Sequence, residues 1–204
     1  MKNPLLNNAI KAIIFITACA LSTWATAHTG VDAHAHPSFF TGFMHPLLGL
    51  DHMAAMVAVG IWCALMARSS GAELLWGPLG FANMLLVGAM LGLQGAELPA
   101  VEPMIAASLL VLGLLVVSRL RVPGMVAALL VGVFAVFHGQ AHGLELADNS
   151  GAFEALAGML AATFLLHAVG IALGWWLRSA NVWLARAAGA GVAGFGSALL
   201  LQLT

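Results

Sequence analysis

Charge is what this sequence most lacks. Only 7% of its 204 residues are Asp, Glu, Lys or Arg, against 62% hydrophobic residues and a mean hydropathy of +1.00. A soluble domain carries roughly 25% charged residues. A core of this size cannot hide so much apolar surface from water, so the surplus must face lipid. The formal net charge of −1 offers no basic surface for nucleic acid. Cysteine is nearly absent as well. Cys19 and Cys63 alone provide neither a disulfide framework nor a CxxC zinc knuckle, so metal chemistry falls to His, Asp, Glu, Met and backbone. No ATP-binding loop and no HExxH motif occurs.

What is there begins with an export signal. Lys2 and Lys11 flank the start, an apolar run extends from Ala12 to Leu21, and Ala25-Thr26-Ala27 closes it. A positive n-region, a short h-region and a small-residue cleavage site together describe a secretory signal over residues 1–27; the alternative is a short first helix that stays attached. Ile16-Thr17-Ala18-Cys19 resembles a lipoprotein box but lies too close to Lys11 to leave a full h-region before it. The expectation is a bacterial inner-membrane protein, multi-pass, with its N-terminus in the periplasm. Residues 28–44 form a periplasmic segment whose first part, His28–His36, is small and polar and carries His28, His34 and His36. They read either as a metal-gathering segment or as a linker with incidental histidines.

Residues 45–204 read as an all-α bundle of six spans: His45–Ala67, Leu75–Leu93, Pro103–Ser118, Gly124–Leu144, Phe153–Leu177 and Val182–Leu203. Each offers close to the 20 apolar residues that a crossing helix needs. With the N-terminus outside, Arg68, Arg119, Arg121, Arg178 and Arg186 all fall on the cytoplasmic side, as the positive-inside rule requires. Glu97, Glu102, Glu145, Asp148 and Glu154 fall outside, and only Glu73 joins the arginines. Trp76, Trp175, Trp176 and Trp183 sit near the cytoplasmic interface. Gly88/Gly92 and Gly170/Gly174 are GxxxG pairs, and Gly189, Gly191, Gly194 and Gly196 crowd the last span; small residues of this kind are expected as helix-packing faces. Met44, Met53, Met56, Met84 and Met90 read as filler rather than thioether ligands.

Two motifs carry chemistry. The first is His45-Pro46-Leu47-Leu48-Gly49-Leu50-Asp51-His52. Pro46 fits the first turn of a helix, which would put His45 at its cap and His52 two turns deeper, about 10 Å along the axis. On a regular helix those imidazoles cannot share one ion, so either the first turn is distorted or the two serve outer and inner positions. Asp51 points about 100° away from His52 on the helical wheel. A carboxylate inside a span needs a partner; with no Lys or Arg in any span interior, that partner is a cation or a histidine. The second motif is Phe137-His138-Gly139-Gln140-Ala141-His142-Gly143-Leu144-Glu145. His138, His142 and Glu145 share one helical stripe, at a spacing suited to gripping a metal from one face. Topology brings both motifs to the outer side, with His138 deeper and His167 in the fifth span deeper again. His167 reads equally as a hydrogen-bonded core histidine. Asn83, mid-way along the second span, offers a neutral oxygen.

These residues resemble the HupE/UreJ family of nickel/cobalt permeases. His45-Pro46-x-x-Gly49-x-Asp51-His52, followed by Met56, Val59 and Gly60, is similar to that family's first signature. Phe137-His138-Gly139-x-Ala141-His142-Gly143-x-Glu145 is similar to its second. The resemblance covers the whole mature chain. It implies movement of nickel, or cobalt, across the inner membrane for hydrogenase or urease maturation, and it implies functional roles for His45, Asp51, His52, His142 and Glu145. The expected partners are then a transition-metal ion as cargo and the lipid bilayer, with no tightly bound cofactor and no enzymatic activity. Absence of thiolates at both motifs suits an ion that must be released. Two rivals stay open on the residues alone: a membrane-embedded zinc hydrolase built on the same His/Asp set, and a haem carrier using His52 and His138 as an axial pair.

Overall fold

The computed structural model describes residues 37–68 and 71–203, so the expected export signal and His28, His34 and His36 lie outside the described residues. Within them every regular element is helical: α1 (Phe39–Leu48), α2 (Leu50–Met66), a 3-10 turn (Ala72–Leu74), α3 (Trp76–Leu93), α4 (Val101–Ser118), α5 (Gly124–Leu146), α6 (Ala152–Ser179) and α7 (Val182–Gln202). Helices α3 to α7 are each long and apolar enough to cross a bilayer, and α1 with α2 makes a sixth candidate span. The chain is a multi-pass helical membrane protein. The boundaries of α3 to α7 fall within two residues of those expected from hydropathy.

The first span departs from expectation. Helical structure starts at Phe39, six residues before His45, under a Ser38 cap that accepts from the Thr41 N–H while Thr41 Oγ1 accepts from the Ser38 N–H. Pro46 therefore lies inside a helix rather than in its first turn. It removes one intrahelical hydrogen bond, and three residues later Gly49 turns extended, at φ −76° and ψ 109°. Helix α2 leaves at 80° to α1. The distortion that two histidines seven residues apart would need to meet is thus a full break.

Glycine sets how the helices pair. On α3, Gly88 and Gly92 lie against the backbones of Val136 and Gln140 on α5, while Gly139 and Gly143 of α5 lie against the Leu85 and Ala89 carbonyls of α3. Gly60 of α2 abuts the His167 carbonyl, and Gly170 and Gly174 of α6 meet Val57 and Ile61. Gly113 of α4 faces Gly189, and Gly196 faces Leu110. Residue numbers rise together across α3/α5 and α2/α6 and oppose each other across α4/α7, the directions that six alternating spans demand. Such approaches let backbones touch where apolar burial gives no net drive. Of the four glycines expected to pack in the last span, Gly189 and Gly196 do so, whereas Gly191 and Gly194 face open space.

The arginines gather at one end. Trp62 Nε1–H donates to the Leu120 carbonyl at 2.9 Å, and Arg178 donates to the Ala64 carbonyl at 3.3 Å while covering the Trp175 ring. A cavity of about 300 Å³ there is lined by Arg68, Glu73, Trp76 and Arg121 among others. The two histidine motifs lie at the opposite ends of α2 and α5.

Candidate metal centre

The break at Gly49 builds the first half of the site. Helix α1 is fixed to α6, where Gly42 rests on the Ala155 carbonyl and Gly158 on the Phe39 carbonyl. Its last turn aims His45 across the break at His52 in the first turn of α2, and the two rings meet edge to face at 5.6 Å between centroids. A Cβ on Gly49 would sit 3.2 Å from both Asp51 Oδ1 and His52 Nδ1, so a side chain at the corner would crowd this pair.

Asp51 does not turn away from its neighbour as a helical wheel suggests. At a helix start the side chain can fold back onto the exposed backbone N–H groups. Asp51 Oδ1 accepts from the His52 N–H at 2.9 Å and pairs with His52 Nδ1 at 2.8 Å. The carboxylate also lies where the helix dipole favours negative charge. Its second oxygen, Oδ2, is buried with no hydrogen-bond partner.

Helix α5 supplies the second half. His142 and His138 are fully buried, with Gly139 and Gly143 pressing their turns against α3. His142 Nδ1 faces Glu145 Oε2 at 3.4 Å, and His138 Nδ1 faces the Phe134 carbonyl at 3.0 Å. The rings then form a chain. His142 lies 4.7 Å from both His45 and His52, and His138 lies 5.3 Å from His52.

His45, His52 and His142 offer nitrogens that all lie within 4.8 Å of one another. Asp51 and Glu145 stand behind this trio, each on an Nδ1, as carboxylates do behind metal-binding histidines. That arrangement puts the Nδ1 protons toward the carboxylates, a tautomer assigned from the network. The Nε2 atoms of His52 and His142 face each other at 2.9 Å, a hydrogen bond when one ring carries its proton there and a pair of nitrogen donors toward one ion when neither does. The T-shaped approach of His52 and His138 at 5.3 Å leaves no gap for a macrocycle between these two rings.

Two expected contributors are placed elsewhere. Asn83 is exposed and donates to its own helix at the Leu79 carbonyl, 2.7 Å away, as lone amides in apolar helices do. His167 is buried but separated from His138 by Phe81, whose ring centroid is 5.8 Å from His138 and 5.3 Å from His167.

A sequence family described as HupE / UreJ protein matches residues 16–199 of the chain. The chain belongs to this family. Protein HupE from Rhizobium leguminosarum bv. viciae is 44% identical to it over 191 residues, covering 92% of this chain and 97% of that relative. No solved structure is matched. Membership of the HupE / UreJ family agrees with the resemblance carried by the two motifs.

Three residues of the site escaped the sequence reading. Phe81 has no pattern to distinguish it from lipid-facing filler. Gln140 lies inside the second motif, fully buried, and its Nε2 donates to the Ala96 carbonyl at 2.8 Å, tying α5 to the loop after α3. Its amide between two histidines was a signal. Gly49 was visible as a motif position, although nothing marked it as the corner of a broken span.

Replacing Asp51 with asparagine keeps the shape and removes the charge behind His52. Loss of such a partner costs 10- to 100-fold in metal affinity, and that range is expected for Asp51→Asn in a calorimetric nickel titration of purified protein. Affinity within twofold of wild type would deny Asp51 its role.

Proposed function

We propose that this protein is a nickel permease, with cobalt as the alternative cargo, and not an enzyme. In this reading it supplies metal for hydrogenase or urease maturation from the inner membrane of a bacterium, with the histidine end in the periplasm. The observation that carries the proposal is the trio His45, His52 and His142, the first half-buried and the other two buried, at one end of a membrane bundle with two carboxylates behind it. Imidazole suits nickel and cobalt, and the cluster contains no thiolate that would retain the ion.

His52 and His142 present their Nε2 atoms to each other at 2.9 Å, within reach of one shared ion. His138 is the next imidazole inward from the trio. The arginines at the far end support a cytoplasmic exit.

The test is uptake of radiolabelled nickel by vesicles holding the purified protein, with cobalt and zinc as competitors. Saturable nickel accumulation, inhibited more strongly by cobalt than by zinc, is expected. Vesicles no more permeable than protein-free controls would reject the permease, and hydrolytic activity dependent on zinc would establish the rival.

A further inference from the structure

Building on that reading, we propose that His167 is a second, inner binding station for the transported divalent metal ion, partitioned from the outer histidines by the ring of Phe81. His167 is buried, at 1% exposure, and neither ring nitrogen has a hydrogen-bond partner. A buried polar group left unsatisfied is destabilising, a cost that leucine at this position would avoid. Packing alone does not account for an imidazole here.

Position supplies the reason. His167 lies fifteen residues from the start of α6 and twelve from its end, about 22 Å and 18 Å at the rise of an α-helix. It is therefore close to the mid-plane of the span. Beyond His138, an ion leaving the outer trio must otherwise cross the apolar middle of the bundle, where unpaired charge is costly. Phe81 is fully buried and is the ring that touches both His138 and His167. An apolar constriction of this kind passes an ion only when it moves aside or wets. The close contact of Gly60 with the His167 carbonyl anchors the backbone, so the imidazole keeps its place while the partition moves. One imidazole binds weakly, which suits a station the ion must leave; water would complete its shell.

The roles can be separated because the proposed site is a liability for folding. His167→Leu is expected to retain or raise the Tm and to keep the nickel affinity of the outer trio within threefold, while nickel uptake falls at least tenfold. A fall in uptake smaller than threefold overturns the proposal. If His167→Leu instead loses its fold, His167→Gln decides. A folded Gln variant that binds nickel at the outer trio without transporting it supports the inner station. A Gln variant with wild-type uptake, or one that also fails to fold, makes His167 a structural residue and overturns the proposal. Failure of the wild-type protein itself to bind and accumulate nickel would reject the permease reading, a result distinct from any of these.

Discussion

Nickel uptake by His142→Ala is expected to fall at least 100-fold, a larger loss than the 10- to 100-fold in affinity expected for Asp51→Asn. His142 is the junction of the cluster, with its ring 4.7 Å from both His45 and His52. Its removal leaves His45 and His52 without the nitrogen that faces them from α5, and it strips Glu145 of the imidazole it stands behind. Losing an outer partner costs 10- to 100-fold in affinity, and losing the ligand itself costs more. The comparison is made in vesicles with protein amount matched and fold checked by gel filtration. Uptake within threefold of wild type would mean that the trio is not the transport site.

Gly139→Leu is expected to prevent stable folding altogether. Even a Cβ at this position would land on the Leu85 carbonyl and lie 2.9 Å from the Ala89 nitrogen. These are backbone atoms of α3, which cannot rotate aside as a side chain can. Overpacking in a filled core costs about 1–3 kcal/mol and occasionally more; a leucine between two touching backbones belongs at the upper end or beyond. Separation of α3 from α5 would also draw Phe81 away from His138. The expected result is little monodisperse protein after extraction, or a Tm lowered by more than 10 °C. Gly191→Leu is the control, since nothing lies within 4 Å of a Cβ there, and it should behave as wild type. Equal stability of the two variants would contradict the α3–α5 packing.

Much of this arrangement is legible from the residue order. Hydropathy locates α3 to α7 because a bilayer imposes one length on each, and the positions of the arginines arrange them in alternation. The i, i+4 spacing of His138 and His142 survives because α5 is a regular helix. The first motif resists the same treatment. Its geometry depends on a bend, and helical periodicity fails where the helix does. His45 and His52 meet because Pro46 and Gly49 act together, and Asp51 turns back because a helix starts beside it. Asn83 illustrates the opposite difficulty, since its depth is readable but its bond to Leu79 is not. Phe81 becomes significant only through what it separates, which depends on α3, α5 and α6 all being in place.

The 80° break also sets how the first span fits its membrane. Helix α2 has 17 residues, which reach about 26 Å, short of a hydrocarbon core about 30 Å thick. Helix α1 cannot make up the difference, because it leaves nearly at right angles. Phe39 and Phe40 are exposed on it at 50% and 69%, a disposition suited to lying in the headgroup boundary. Helix α2 is buried along most of its length, so lipid meets this span chiefly at α1, whose last turn carries the half-buried His45. A change in bilayer thickness costs a fraction of a kcal/mol per ångström, and at this span α1 would feel it, so the lipid itself would tune how easily the outer histidines load.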